Sequence, residues 1–220
     1  MKKLNVAIIG QGRSGCNIHG KDFRSEKNQF YTVKYVVDAD AYRREKAEKI
    51  YPGCQTFEKY TDLYQFDDID LVVNSTYSEM HGPITKELLL HGFNVLVEKP
   101  FCQTYAEAKE LIRLGSQPAG PRIFVRHNRR FEEGFIKVNE IIDSGILGEV
   151  YEIHLARDEY QRRNDWQTIK EFGGGQLLNW GPHIVDHALR FCGGGYEKLF
   201  SAIRRVAAVG DAEDHIKLVF

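Results

Sequence analysis

Leu4-Asn-Val-Ala-Ile-Ile-Gly10-Gln-Gly12-Arg-Ser-Gly15 is the stretch on which the fold turns. An apolar run of strand type leads into three glycines in G-x-G-x-x-G spacing, and the residues from Cys16 to Phe23 can form a helix. In a dinucleotide site the first glycine makes a tight turn, the second lets the backbone approach a pyrophosphate, and the third lets helix and strand pack closely. The N–H groups that open such a helix lack partners within it and carry partial positive charge. Gly10, Gln11, Gly12, Arg13, Ser14 and Gly15 are therefore the expected phosphate cradle.

Glycine-rich turns are common, so the context must agree. Thr32-Val-Lys-Tyr-Val-Val-Asp38 reads as a second strand ending in a carboxylate. An acid there can accept hydrogen bonds from the adenosine ribose hydroxyls and repel a 2′-phosphate. The plainer alternative makes Asp38 a helix cap. Asp38 to Ile50 is charged with interspersed alanines, as in an exposed helix, and Pro52-Gly53 stops it. Cys54 to Phe57 is a short strand candidate, and Ile69 to Val73 is apolar enough for burial on both faces. A polar loop, Asn74-Ser75-Thr76, follows. His81 to His91 reads as a helix, Asn94 to Val97 as a strand, and Thr104 to Leu114 as a helix opened by a Thr104/Glu107 capping box. Ile123 to Val125 completes an alternation of strands and helices that specifies a doubly wound parallel sheet.

Beyond Arg126 the pattern changes. Phe131 to Asp143 reads as a helix, Val150 to Ala156 alternates like a strand of an antiparallel sheet, and Arg157 to Lys170 has no period. That last segment has the character of a loop covering a site. Gly173-Gly-Gly175 precedes one long helix, Gln176 to Cys192, and strands are expected at Lys198 to Ala207 and His215 to Phe220. The expected fold class is α/β: an N-terminal Rossmann domain over residues 1–125 and a second, incomplete α+β domain over 126–220. The alternation of Ile216, Leu218 and Phe220 breaks off at the last residue. We therefore expect a chain cut short, whose open sheet edge favours association.

Composition narrows the function classes. Thirty basic residues face thirty-one acidic ones, for a net charge of −1, which argues against a dedicated nucleic-acid binder. No apolar run approaches the roughly 20 residues that span a bilayer. The start enters a strand directly, with no signal-peptide pattern, so the default location is cytoplasmic. Cys16, Cys54, Cys102 and Cys192 form no C-x-x-C and read as free thiols.

Ligands in such sheets bind outside the carboxyl ends of the strands. Asn74, Ser75 and Thr76 stand at one such end and Lys99, in Glu98-Lys99-Pro100, at the next. On a continuous helix Asn179 and His183 share a face, and Asp186 extends it. They could supply an orienter, a proton acceptor and a carboxylate partner. His183, His187 and Asp186 could instead suggest a metal, but no glutamate stands between the histidines at the spacing zincins use, so none is expected.

Gly10-x-Gly12-x-x-Gly15, Glu98-Lys99-Pro100 and Gly173-Gly-Gly-x-Leu-x-Asn179-x-Gly-x-His183-x-x-Asp186 together resemble the Gfo/Idh/MocA oxidoreductases. The resemblance implies a Rossmann domain, an α+β domain with an open, mainly antiparallel sheet, and pairing into homo-oligomers through that sheet. It implies hydride transfer between a nicotinamide and a carbinol carbon of a sugar or cyclic polyol. Lys99 would hydrogen-bond the substrate oxygen and His183 would exchange the hydroxyl proton. Ser75, Thr76, His81, Glu98, Lys99 and Asn128 would line the cofactor. Asp186 and Trp166 are secondary substrate candidates. NAD is the expected cofactor, although Arg13 and Arg43 leave room for NADP. One position departs from the pattern: many such dehydrogenases carry aspartate where this chain has Asn179. Two other functions stay open: a non-redox glycosidase that retains its NAD, and a nucleotide-binding sensor or partner-binding protein without turnover.

Overall fold

The computed structural model describes residues 2–159 and 161–220. They form two compact units, Met1–Arg126 and His127–Phe220. The first is built on a six-stranded sheet: β1 (Leu4–Ile9), β2 (Tyr31–Val37), β3 (Gln55–Phe57), β4 (Leu71–Asn74), β5 (Val95–Glu98) and β6 (Ile123–Arg126). Every pairing is parallel, and the order is β3-β2-β1-β4-β5-β6. The chain reverses its direction across the sheet between β1 and β4, so the crevice beyond their carboxyl ends is the expected ligand position.

β1 shows why this half folds as read. Ala7 and Ile9 pack into one apolar cluster with Tyr35, Val72, Leu88 and Leu111. Val6 and Ile8 pack into a second with Val36, Ala47 and Val73. A strand covered on both faces needs an unbroken apolar run, which is what Val6 to Ile9 provides. The helices are a segment of π-type winding, Arg13–His19, that runs into α1 (Gly20–Phe23), then α2 (Ala41–Ile50), α3 (Ser78–Leu90) and α4 (Tyr105–Gly115). Asp40, not Asp38, caps α2, its carboxylate accepting the N–H of Tyr42. Thr104 caps α4 by accepting the N–H of Glu107, while Glu107 returns to the N–H of Gln103. That is a capping box displaced by one residue.

The second unit contains α5 (Glu133–Asp143), α6 (Gln176–Asn179), α7 (Gly181–Phe191) and an antiparallel pair, β7 (Phe200–Arg204) with β8 (His215–Val219). Two expectations are corrected here. Residues 150–156 are irregular, and no described strand pairs with them. The single helix expected from Gln176 to Cys192 is broken at Trp180. Pro182 has no N–H to donate and its ring crowds the carbonyl four residues back, so α7 must begin afresh.

Candidate functional site

In the first unit the three glycines hold three different positions. Gly10 has φ +87°, and a Cβ on it would stand 2.7 Å from the carbonyl oxygen of Ser75. A Cβ on Gly15 would stand 1.8 Å from the carbonyl oxygen of Gly10, so helix and strand could not approach as they do. At Gly12 the nearest atom would be a guanidinium nitrogen of Arg43, 3.9 Å away, leaving the loop's face open. Tight turn, close packing and open face are the requirements of a pyrophosphate cradle.

Asp38 is almost fully buried at the end of β2. One carboxylate oxygen accepts the N–H of Gln11 at 2.6 Å and the other the N–H of Asp40 at 2.9 Å. It thus ties the glycine loop to β2, a role that spacing alone did not reveal. Gln11 is only 6% exposed, yet neither its Oε1 nor its Nε2 has a hydrogen-bond partner. An amide buried without partners is costly unless something else meets it. Open face, orphaned amide and strand-end carboxylate fit a dinucleotide. Arg13 is exposed on the loop and Ser14 half-buried.

The next strand ends are tightly knit. The Ser75 hydroxyl lies 2.8 Å from the carbonyls of both Ile9 and Gly10, stitching β4 to the loop. Asn74 is fully buried; its amide donates to the His81 carbonyl and the Thr85 hydroxyl, and its oxygen accepts from Thr76. His81 is 2% exposed, with Nδ1 2.6 Å from the Pro100 carbonyl and Nε2 3.1 Å from that of Thr76. Burial lowers its pKa below the usual histidine value despite both carbonyls. Both ring nitrogens thus face oxygens that can only accept. The ring braces the two loops from behind.

Glu98 is buried at the end of β5, 2.8 Å from Nε2 of His19 and 3.3 Å from Arg126. Burial alone would raise its pKa, but the His19 hydrogen bond and the Arg126 charge outweigh it and hold the carboxyl low. Lys99 follows, half-buried, before a cis peptide to Pro100.

In the second unit Gly173 and Gly175 have φ of +67° and +105°, values that favour glycine. A Cβ on Gly175 would meet the carboxylate of Glu213, which accepts the N–H of Leu177 and so caps α6. His183 is buried at 4% exposure, with the rings of His127 and Trp180 edge-on at 5.2 and 5.8 Å. Guanidinium groups of Arg129 and Arg157 lie 4.2 and 3.5 Å from the centre of the Trp180 ring. The break at Trp180 removes the continuous helical face that was to join Asn179 to His183.

Asp186 sits in a cluster of charged and polar groups. Its carboxylate is gripped by Arg130 through both oxygens, with Arg190 at 3.3 Å and His127 at 3.4 Å. Burial would raise its pKa, but the Arg130 hydrogen bond and the charges around it hold it below the usual carboxylate value. Asn128 opens a short turn, Asn128–Phe131, and Trp166 another, Trp166–Thr168, both half-buried.

A family model described as "Oxidoreductase family, NAD-binding Rossmann fold" matches residues 4–125, and one for the GFO/IDH/MocA C-terminal domain matches residues 135–220. The chain belongs to the GFO/IDH/MocA oxidoreductase family. Its first unit is an NAD-binding Rossmann domain. An uncharacterized oxidoreductase of Schizosaccharomyces pombe is 31% identical over 88% of this chain and 53% of its own length. The scyllo-inositol 2-dehydrogenase (NADP(+)) IolW of Bacillus subtilis is 26% identical over 86% of this chain and 52% of its own. The crystal structure of GenD2 from gentamicin A biosynthesis, in complex with NAD, matches the fold with a TM-score of 0.84 at 23% identity. It covers 99% of this chain and 62% of that one. The chain thus spans little more than half the length of the two curated relatives named above.

Several residues around these positions escaped sequence reading. His19 stands four positions after Gly15, a helical spacing that could have placed it on the inner face. Arg126, His127 and Arg130 carry no local signal for their partners, because Glu98 and Asp186 are distant in sequence.

Proposed function

We propose that the protein is a NAD(P)-dependent oxidoreductase acting on a carbinol carbon of a sugar or cyclic polyol. The observation that carries the reading is the glycine loop, whose three glycines meet three different steric demands at the reversal point of the sheet. The name of the B. subtilis relative supplies the substrate class. We read the first unit as the cofactor domain and the second as the substrate domain.

Bound at the loop, a nicotinamide would give or take the hydride. Asp38 would accept from ribose hydroxyls, and Gln11 would offer its amide to the nucleotide. Lys99 would hold the substrate oxygen and favour its alkoxide form. His183 would accept the hydroxyl proton in oxidation and return it in reduction. Asn179 can orient a hydroxyl but cannot stabilise an imidazolium by charge. Asp186, gripped by Arg130, would act by holding the turn that carries Asn128 and His127.

The test has two parts. NAD affinity is titrated directly, and NADH formation is followed over a panel of inositols, hexoses and uronates. Turnover of at least one is expected, with Lys99→Ala or His183→Ala lowering kcat by about 100-fold or more while NAD binds as before. Tight NAD binding with no conversion of any sugar would sink the dehydrogenase reading. It would favour a sensor.

A further inference from the structure

Trp180, at the break between α6 and α7, carries two guanidinium groups on its ring. That of Arg129 lies 4.2 Å from the ring centre and that of Arg157 3.5 Å. The two arrive from different places. Arg129 stands in the short turn Asn128–Phe131, and Arg157 in an irregular segment whose sequence has the character of a loop over a site. Setting two like charges against one ring is unfavourable unless anions accompany them.

Three observations say what kind of anion fits. First, each guanidinium is stacked by its face, which leaves the N–H groups along its edge to bind. Second, those edges are barely used. A guanidinium has five N–H donors. Among the described residues, that of Arg129 donates only to Glu132, through Nη1, and that of Arg157 only to Glu159, through Nη2. Both partners are carboxylates on the exposed surface, and such pairs hold weakly enough to be exchanged. Arg130 and Arg190 differ, because Asp186 occupies them. Third, the same indole is edge-on to the buried His183, with ring centres 5.8 Å apart. A ligand held on these arginine edges is therefore close to the imidazole.

We propose that Arg129 and Arg157 bind the carboxylate of an acidic sugar, so that the substrate is a uronic acid rather than a neutral sugar or polyol. The inference rests on the reading of His183 as the residue that exchanges the hydroxyl proton, and it names the substrate class of that same site. A planar carboxylate matches the guanidinium fork. It is also the group that each guanidinium already holds in this structure. In a uronic acid the carboxyl group and the secondary carbinols belong to one ring, so a single molecule can meet the arginines and His183 together.

The experiment is calorimetry on the whole chain with NADH in excess, a state that cannot oxidise a carbinol. Glucuronate, galacturonate and mannuronate are each compared with the neutral hexose, the uronate methyl ester and the hexose 6-phosphate. NADH formation from the same compounds is followed separately with NAD. At least one uronate is expected to bind about tenfold or more tightly than its hexose and its ester, which lack the charge. Arg129→Gln with Arg157→Gln should bring that uronate to the level of the hexose, whose own affinity should stay within about threefold. Arg129 is half-buried and Arg157 exposed, and a melting curve checks the fold of the variant. The ester comparison needs no variant. A native chain that prefers no uronate over its ester would overturn the inference, as would a preference that survives in the double variant. Tighter binding of hexose 6-phosphates than of uronates would overturn it too. Turnover of neutral hexoses without a uronate preference would remove this inference and leave the dehydrogenase reading standing. Uronate binding that is lost in the variant, with no NADH formed from any sugar, would leave the carboxylate site standing and remove the dehydrogenase reading.

Discussion

Val6, Ala7 and Ile8 of β1 are wholly buried, whereas along β8 Ile216 and Leu218 are only partly covered and Val219 is half exposed. The contrast extends to whole units. Among the described residues, every buried apolar side chain but that of Ala212 belongs to Met1–Arg126. In His127–Phe220 large apolar groups such as Phe131, Ile146, Tyr151 and Phe200 lie at the surface. There, order rests on polar and stacked groups: Arg130 on Asp186, Glu213 on α6, Phe135 against His187 at 4.3 Å. One half is held by burial in a two-faced sheet and the other by directed contacts. The two should respond differently to substitution and to acid.

The sharpest probe is Leu88→Ala, a fully buried side chain of the larger core cluster. It should cost about 2–5 kcal/mol. Hydrogen exchange would show faster opening of β4 and β5, with β7 and β8 little changed. A uniform effect on both units would mean that they unfold as one and would break the comparison.

Asp186→Ala should come next, at about 1–2 kcal/mol, because Arg130, its main partner, is itself two-fifths exposed. The loss should appear in α5 and α7. In the native chain the carboxyl pKa is depressed, so its contribution is full above the ordinary value of 3.8 and lost as pH falls through the lower folded value. Acid melts of this unit that match between Asp186→Ala and the native chain across that window would contradict it.

His81 offers a third probe. Its pKa is lowered from 6.5, so the unfolded chain takes up a proton before the folded one does. Stability is full above pH 6.5 and falls as pH drops toward the folded value, by at most about 1.4 kcal/mol per pH unit. Denaturant titrations from neutral to mildly acidic pH should give a shallower dependence for His81→Gln.

The smallest effect is expected for Phe200→Ala. That ring is 60% exposed, so the cost should stay within about 0.5 kcal/mol. A loss as large as that of Leu88→Ala would mean that this face is covered in solution.

How much could be read beforehand follows from the range of each interaction. The run Val6 to Ile9, the glycine spacing and the Thr104 cap involve residues close in sequence, and their patterns were legible. The clasp of Asp38 on Gln11 joins residues 27 positions apart, and that of Arg130 on Asp186 joins residues 56 apart. Nothing in either segment announces its partner. The broken helix is a different case, since Gly181-Pro182 was visible and a proline inside a helical pattern is a local warning. Val150 to Ala156 misled because alternation signals only a half-buried face, and a strand also needs a neighbour to pair with.

Sequence by itself determined the parallel sheet, the turn that opens the first helix and the types of chemical group at the strand ends. These follow from side-chain periodicity and from the steric freedom of glycine, both short-range properties of the chain. Tertiary structure decided which of those groups are already engaged: it bound Asp186 to Arg130, closed Glu98 against His19 and Arg126, and left the buried Gln11 amide without a hydrogen-bond partner. Those outcomes depend on long-range packing and on what burial does to charge, which no stretch of residues carries alone.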